Sequence, residues 1–247
     1  MEIIVSIDDT DNMESKGTGE LAQEIANTIE KNKWGEVSKI TRHQLLVHED
    51  IPYTSHNSAM AFEADIDDNC LQTIIEFSID YLKKESAAES DPGLCVVVLD
   101  DLLSEEKLIE FGKKAKCEVL SKEEAYNLAK TLKIHLSEHG GTGQGVIGAL
   151  AGAGLRLSGN DGRFKGNHIV STRDNIMAVG EIRVSTGIDV VKTLDGEMLK
   201  DNERIFLKDK IKTVLLQYQE VLLVEPIEGQ KGEILWQNCS KQKLRNY

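Results

Sequence analysis

A run of glycines between residues 139 and 154 limits what this chain can be. It reads HGGTGQG followed by VIGALAGAG, and ten of the chain's twenty glycines lie between Gly140 and Gly166. Glycine loses more backbone entropy on folding than any other residue, so a cluster this dense needs a compensating geometry that only glycine permits. One such geometry is a phosphate-binding loop: bare backbone N–H groups converge on an anion, and a helix starting just after the loop points its N-terminus at the same anion. The other is a tight turn between packed helices, with the small residues of 146–154 allowing a close approach. The stretch is not G-x-x-x-x-G-K-[ST], because no Lys-Ser or Lys-Thr pair follows the last glycine, and Gly141 to Gly145 match G-x-G-x-x-G only loosely, without a strand in front.

A second feature lies far upstream. Residues 2–7 (EIIVSI) form a short apolar strand that ends in Asp8-Asp9-Thr10-Asp11. The polar segment 12–17 ends in glycine and reads as a loop. Leu21, Ala22, Ile25, Ala26 and Ile29 then recur at helical spacing, with Thr18 as the N-cap. Strand, acidic loop and helix in succession place the carboxylates at the carboxyl end of a strand, where open α/β sheets put their ligands. Magnesium is held by one or two carboxylates together with phosphate oxygens. Neighbouring strand residues point to opposite faces, so two of Asp8, Asp9 and Asp11 reach one ion and the third is free to position a nucleophile. The competing reading is an acidic loop that complements the dipole of the following helix. Either feature alone is ambiguous; carboxylates for a divalent ion combined with a backbone anion nest are the parts that ATP-dependent phosphoryl transfer requires.

The intervening chain alternates strands and helices. Residues 37–47 are β-like, 58–66 (SAMAFEADI) form a strand, and 68–84 form a helix with Leu71, Ile74, Ile75, Ile79 and Leu82 as its buried stripe. Residues 85–92 read as a surface loop. Leu94 to Leu99 are apolar on both faces, as in a central strand. Two helices follow, over 104–116 and 121–134, the second opened by the capping box Ser121-Lys122-Glu123-Glu124. After Gly154 the pattern changes: 155–159 is short and β-like, Asn160-Asp161-Gly162 is a turn, 175–184 and 220–224 are strands, and Leu194-Asp195-Gly196-Glu197 is a hairpin turn. These elements predict an α/β protein with a kinase-like domain of mixed sheet and flanking helices over 1–165. A smaller β-rich C-terminal part follows over 166–247.

With 247 residues, 40% of them hydrophobic, the chain can bury a sizeable core. Its formal net charge of −13 argues against non-specific nucleic-acid or membrane binding, which needs clustered Lys and Arg. The basic residues near the end, Lys231, Lys241, Lys243 and Arg245, read as a solvated tail. The cysteines, Cys70, Cys95, Cys117 and Cys239, are far apart in sequence and suit reduced thiols in a cytoplasmic protein, with Cys95 in the core. No leader and no apolar run of the ~20 residues needed for a membrane span is evident. Six scattered histidines show no metal-ligand spacing.

Weaker candidates surround the two main features. Lys16 could neutralise phosphate charge, or be an exposed lysine. Ser55, His56 and Asn57 could contact a substrate, or supply turn chemistry. His139, next to the glycine loop, could touch a phosphate, or be a surface histidine. Asn160, Asp161 and Arg163 belong to a turn.

The motifs Ile7-Asp8-Asp9-Thr10-Asp11, Ile51-Pro52-Tyr53, Asp91-Pro92-Gly93 and Gly145-Val146-Ile147-Gly148-Ala149-Leu150-Ala151 occur in that order. In this combination the chain resembles the N-terminal kinase-like domain of archaeal isoleucine-tRNA 2-agmatinylcytidine synthetase, over roughly residues 2–155. The resemblance implies a domain that binds ATP and a divalent ion and phosphorylates the C2 oxygen of a cytidine, after which agmatine displaces the phosphate. It implies that Asp8, Asp9 and Asp11 serve ATP, metal and catalysis, that Thr18 accepts a phosphate, and that Gly143 and Gly145 lie at the phosphates. The chain departs from that family in three ways. Only about 80 residues follow the kinase-like domain, with the single cysteine Cys239, so the family's OB-fold and four-ligand zinc ribbon are not expected here. Gly19 follows Thr18 where the family has a second threonine. Arginine-rich surroundings for an anticodon are not apparent.

The reading is therefore Mg²⁺- and ATP-dependent phosphoryl transfer that activates an oxygen of an unidentified acceptor, related to tRNA cytidine agmatinylation. Asp8, Asp9 and Asp11 bind metal and, with Thr18, form the catalytic set; Lys16, His139, Gly140, Gly141, Thr142, Gly143 and Gly145 bind the nucleotide. The alternative is a non-catalytic nucleotide-binding regulatory module, or a subunit of a larger RNA-modifying assembly. The partners expected are a nucleotide and a small-molecule or RNA acceptor, without a membrane, and a homodimer is an allowed assembly.

Overall fold

The computed structural model describes residues 1–51, 57–170, 174–208, 210–228, 234–245 and 247. The chain divides into two compact units, Met1–Ser158 and Gly159–Tyr247. It is an α/β protein: strands and helices alternate through the first unit, and strands dominate the second.

In the first unit β1 (Glu2–Asp8) is paired on both sides, antiparallel to β4 (Ser58–Ile66) and to β5 (Gly93–Val98). Beyond β5 lies β6 (His135–Glu138), and beyond β4 lies β3 (Thr41–Gln44), both antiparallel. The region expected as one strand over 37–47 is two short ones. β2 (Gly35–Val37) and β3 both pair with β4, with Val37 opposite Ala64 and Thr41 opposite Ala61. Three residues, 38–40, thus face two on β4, and this one-residue excess bends the strand as a bulge does.

Alternation along β1 sorts the core into two layers. Ile3, Val5 and Ile7 pack with α1 (Thr18–Lys31) and α2 (Leu71–Glu85) on one face. Ile4 belongs to the layer on the other face, with α3 (Glu105–Lys114), α4 (Lys122–Leu132) and α5 (Gly145–Leu157). The predicted capping box is present on α4, where Ser121 with Glu124 closes it, and α3 is capped as well, by Ser104 Oγ accepting from the Lys107 N–H. Thr18 is not an N-cap. It is the first residue of α1, whose cap is Gly17, with no side-chain hydrogen bond.

Helix α5 is buried all round, as a helix packed on two sides must be. It continues through the stretch expected to be β-like after Gly154. Its glycines lie on contact faces. A Cβ on Gly152 would sit 2.5 Å from Ser6 Oγ and 2.6 Å from Ala59 Cβ of the sheet, and one on Gly154 would sit 2.2 Å from the Leu108 carbonyl oxygen of α3. From the α3 side, a Cβ on Gly112 would lie 2.8 Å from the Ala151 carbonyl oxygen. The close-packing reading of 146–154 therefore holds for its helical part.

The second unit is built on β12 (Gln219–Glu228), which pairs antiparallel with β11 (Val214–Leu216) and β13 (Ile234–Asn238), and parallel with β9 (Val190–Thr193). β7 (Arg163–Phe164) extends from β11, and β10 (Arg204–Phe206) and β8 (Ile176–Ala178) extend from β13. Of the expected strand over 175–184 only β8 is extended, and α6 (Val179–Thr186) replaces the rest. Glu181 Oε2 accepts from the Ala178 N–H at 3.0 Å and closes the first turn, while Gly187 at φ +73° ends the helix. The 194–197 turn is present, with Gly196 at φ +89° donating to the Thr193 carbonyl. The basic tail is not merely solvated: Leu244 is fully buried and Lys243 pairs with Glu225. Among the described residues no helix is long and apolar enough to cross a membrane.

Gly154→Ala separates two opposing effects. In an open helix the change stabilises by about 1 kcal/mol, whereas overpacking against a backbone carbonyl costs about 1–3 kcal/mol. The 2.2 Å approach makes overpacking the larger effect. The expected outcome is a thermal midpoint lowered by several degrees in calorimetry; an unchanged or raised midpoint would contradict this packing.

Candidate functional site

At the carboxyl end of β1 the first unit holds a cavity of about 710 Å³, within the roughly 300–1,000 Å³ usual for small-molecule sites. Three helices begin on its wall: α1 at Gly17-Thr18-Gly19, α4 at Ser121-Lys122, and α5 at Gln144-Gly145. The first N–H groups of a helix carry partial positive charge, so this wall attracts anions. The N-cap residues of α1 and α5, Gly17 and Gln144, form no side-chain cap, whereas α4 is closed by its own capping box.

Asp8, Asp9 and Asp11 all line this cavity. Asp8 is the last residue of β1 and turns to the α5 face, where a Cβ on Gly148 would lie 1.6 Å from its Oδ2. Only glycine at 148 leaves the carboxylate room. Burial, and then the charge of Asp9, push the Asp8 carboxyl up to about 8. Asp9 adopts a left-handed backbone, φ +51°, which Asp tolerates better than most residues. Burial, and then the charge of Asp91, push its carboxyl up to about 6. Asp11 Oδ1 accepts from Thr18 Oγ1 at 3.1 Å, and the Thr18 hydroxyl accepts from Thr10 Oγ1 at 3.1 Å. Thr18 is thus buried beside the acidic loop and on the cavity wall.

The glycine loop divides its labour. Thr142 and Gly145 line the cavity; Gly140, Gly141, Gly143 and His139 do not. Gly141 (φ +53°) and Gly143 (φ +75°) are left-handed turn residues, with Asp91 and Glu138 where their side chains would be. β6 directly precedes the loop, so the missing strand is present; with Leu136 as its single apolar residue it carried no strand pattern. His139 faces away: its Nε2 is 2.8 Å from Ser137 Oγ, and its N–H donates to the Pro92 carbonyl. Lys16 pairs with Glu85 of α2 at 3.2 Å and lies outside the cavity wall. Asn57 lines the cavity; Ser55 and His56 lie outside the described residues.

Two cavity residues, Arg42 and Lys122, and one residue behind the glycine loop, Asp91, were not among the expected site residues. Arg42 of β3 donates from Nε to Ser58 Oγ at 2.9 Å and is close enough to favour the ionised form of Asp8. Lys122 donates to Glu138 Oε2 at 2.6 Å and to the Thr142 carbonyl at 2.7 Å. Both are isolated cations in sequence, brought to the site only by folding. The third is Asp91, buried rather than on the surface loop expected over 85–92, with both carboxylate oxygens engaged by Thr142. Apolar surface from Leu45, Ala115, Val119, Leu120 and Ile147 completes the wall.

Among the described residues no three His, Cys, Asp or Glu side chains converge as a metal cage. Magnesium held by two carboxylates and phosphate oxygens needs no such cage. A buried and a half-buried carboxyl that repel one another, beside a third, suit a cation that arrives with its own oxygen ligands.

No protein-family profile and no curated protein matches the sequence. Solved structures do match. The complex of TiaS with an isoleucine tRNA and ATP is 28% identical at a TM-score of 0.55, over 62% of this chain and 36% of that one. The complex of TiaS with the same tRNA, AMPCPP and agmatine is 23% identical at 0.53, over 73% and 43%. Apo TiaS, a tRNA agmatidine synthetase, is 18% identical at 0.54, over 98% and 69%. The chain spans well under two thirds of the protein in either complex, and its fold is TiaS-like.

The raised carboxyls set a pH dependence. Between about pH 4 and 8 the folded protein holds protons that the unfolded chain releases, so this contribution to stability is complete below pH 4 and lost as pH rises through 8. Asp8→Asn removes the largest part. The expected outcome is that, from pH 5 to 8 without divalent ions, the wild-type thermal midpoint falls relative to Asp8→Asn by roughly 4 °C or more. Parallel curves would show that Asp8 ionises freely.

Proposed function

We propose that the cavity binds ATP with a divalent cation and transfers the γ-phosphoryl group to an oxygen of an RNA or small-molecule acceptor, a reaction related to tRNA cytidine agmatinylation. The observation that carries this reading is the convergence of three carboxylates, two cationic side chains and the starts of three helices on one cavity at the end of β1. The likeness to TiaS bound to tRNA and ATP supports it.

In this reading two of Asp8, Asp9 and Asp11 hold the cation and the third orients the acceptor. A bound Mg²⁺ would offset the charge that develops on the phosphate oxygens. Lys122 has three donors; Glu138 and Thr142 orient it with two of them, and the third serves a phosphate. Arg42 lies on the same wall. As the acceptor oxygen bonds to the γ-phosphorus, the bond to ADP breaks, and the charge on the departing diphosphate is met by Lys122, Arg42 and the uncapped starts of α1 and α5. The apolar surface of Leu45, Val119, Leu120 and Ile147 takes the base. Thr18, buried and hydrogen-bonded to Asp11, accepts a phosphate only after that bond opens.

A second reading is a nucleotide-binding subunit of a larger assembly. Such a subunit would bind MgATP in the same cavity without turning it over alone.

Calorimetry with MgATP tests the shared part. The expected result is Mg²⁺-dependent binding, weakened about tenfold or more in Lys122→Ala, the scale of a lost charged hydrogen bond. No binding to wild type would refute both readings. ATP turnover in wild type that is abolished in Asp9→Ala supports the enzyme; binding without turnover supports the subunit.

A further inference from the structure

Asp91 meets all three parts of the cavity floor. It neighbours the Asp9 carboxyl of the acidic loop, which burial and then the Asp91 charge push up and the Asp91 backbone N–H partly brings back down. Its carbonyl accepts the N–H of Gly145, the first residue of α5, at 3.1 Å. Its side chain takes Thr142 in the glycine loop with both oxygens: Oδ1 accepts the Thr142 N–H, and Oδ2 accepts from Thr142 Oγ1. The glycines around it mark the same contact. A Cβ on Gly141 would fall 1.7 Å from Asp91 Oδ1, and one on Gly145 would fall 2.0 Å from the Asp91 carbonyl oxygen. The next glycine on the Asp91 segment, Gly93, is equally confined, since its Cβ would lie 2.3 Å from the backbone of Gly145.

A residue needed only to close a turn would not have to engage three separate segments. Asp91 does more: the Thr142 N–H that a phosphate loop would offer to its ligand is already given to this carboxylate. Thr142 is therefore held rather than presented, and what reaches the cavity is the start of α5 at a set distance from Asp9.

We propose that Asp91 is a positioning residue that couples the acidic loop to the glycine loop, so that cation and nucleotide phosphates bind in register. This rests on the ATP reading above and names a residue for it. Asp91 touches neither ligand; it acts through Thr142, Gly145 and Asp9. Its removal leaves the carboxylates and the anion-binding wall in place but loosens the distance between them. The quantity that changes is the gain in ATP affinity that Mg²⁺ confers, more than the affinity of either ligand alone.

The test measures ATP affinity by calorimetry with Mg²⁺ and with EDTA in wild type, Asp91→Ala and Asp91→Asn, with circular dichroism to establish folding. Asparagine can keep both bonds, its carbonyl accepting the Thr142 N–H and its amide donating to the Thr142 hydroxyl. The expected result is that Asp91→Ala reduces the Mg²⁺ enhancement about tenfold, the scale of a lost hydrogen bond to a charged group, and that Asp91→Asn restores most of it. A folded Asp91→Ala with the wild-type enhancement would overturn the proposal, as would an Asp91→Asn no better than alanine. If Asp91→Ala does not fold, Thr142→Ala and Thr142→Ser decide from the other side of the bond: loss with alanine and recovery with serine are expected, and equal behaviour of the two overturns the proposal. Failure of wild type to bind ATP under either condition would instead remove the ATP reading, and this proposal with it.

Discussion

The close seating of α5 on the end of β1 is the contact on which the rest of the first unit depends. Gly148 presents no side chain, and the carboxylate of Asp8 fills the space. An acid is thereby buried at the end of the strand, close to the start of the helix. Had residue 148 any side chain, either the helix would lift from the sheet or Asp8 would turn out to solvent. The first outcome opens the core that Ala149, Leu150 and Ala153 close, and the second removes the carboxylate from the cavity. Fold and candidate site thus share one steric condition.

The same contact explains how the site combines opposite charges. Buried carboxyls repel one another and hold protons at pH values where exposed ones are ionised. The starts of α1 and α5, with Lys122 and Arg42, favour the opposite sign. A ligand that is anionic at one point and accompanied by a cation at another satisfies both, and a lone anion or a lone cation satisfies only one. That is the electrostatic sense in which the arrangement fits a metal–nucleotide pair.

Much of the fold was legible because it rests on local patterns. The β1 run, the α1 and α2 stripes and the Ser121 capping box each carry their signal within a dozen residues. Elements decided by distant partners were not legible. Residues 155–157 look β-like alone but extend α5 because the sheet and α3 enclose them, and 179–186 became helical through one glutamate and one terminal glycine. Similarly, Asp8, Asp9, Asp11, Thr142 and Gly145 could be picked out because acidic and glycine clusters are conspicuous. Lys16 and His139 had the right chemistry and neighbourhood in sequence, but Glu85 and Ser137 engage them elsewhere. Arg42 and Lys122 reach the cavity from separate elements, and no spacing rule connects them; Asp91 stood in a visible motif, but its hold on Thr142, 51 residues away, is made only by folding.

The glycine face of α5 has a mechanical side. By presenting glycine at 145, 148 and 152 to its sheet, the helix lets sheet atoms such as Asp8 Oδ2 and Ser6 Oγ enter its surface, so its backbone lies close against the strands. Both of its ends are tied as well. Gly145 is fixed to the Asp91 carbonyl at one end. At the other, buried Arg156 reaches Ser38 and Thr41 by hydrogen bonds and Glu63 by an ion pair. The two anchors are 11 residues apart, about 16 Å along the axis. α5 thus ties the Arg156 cluster on β3 and β4 to the floor of the cavity through one rigid turn-by-turn backbone.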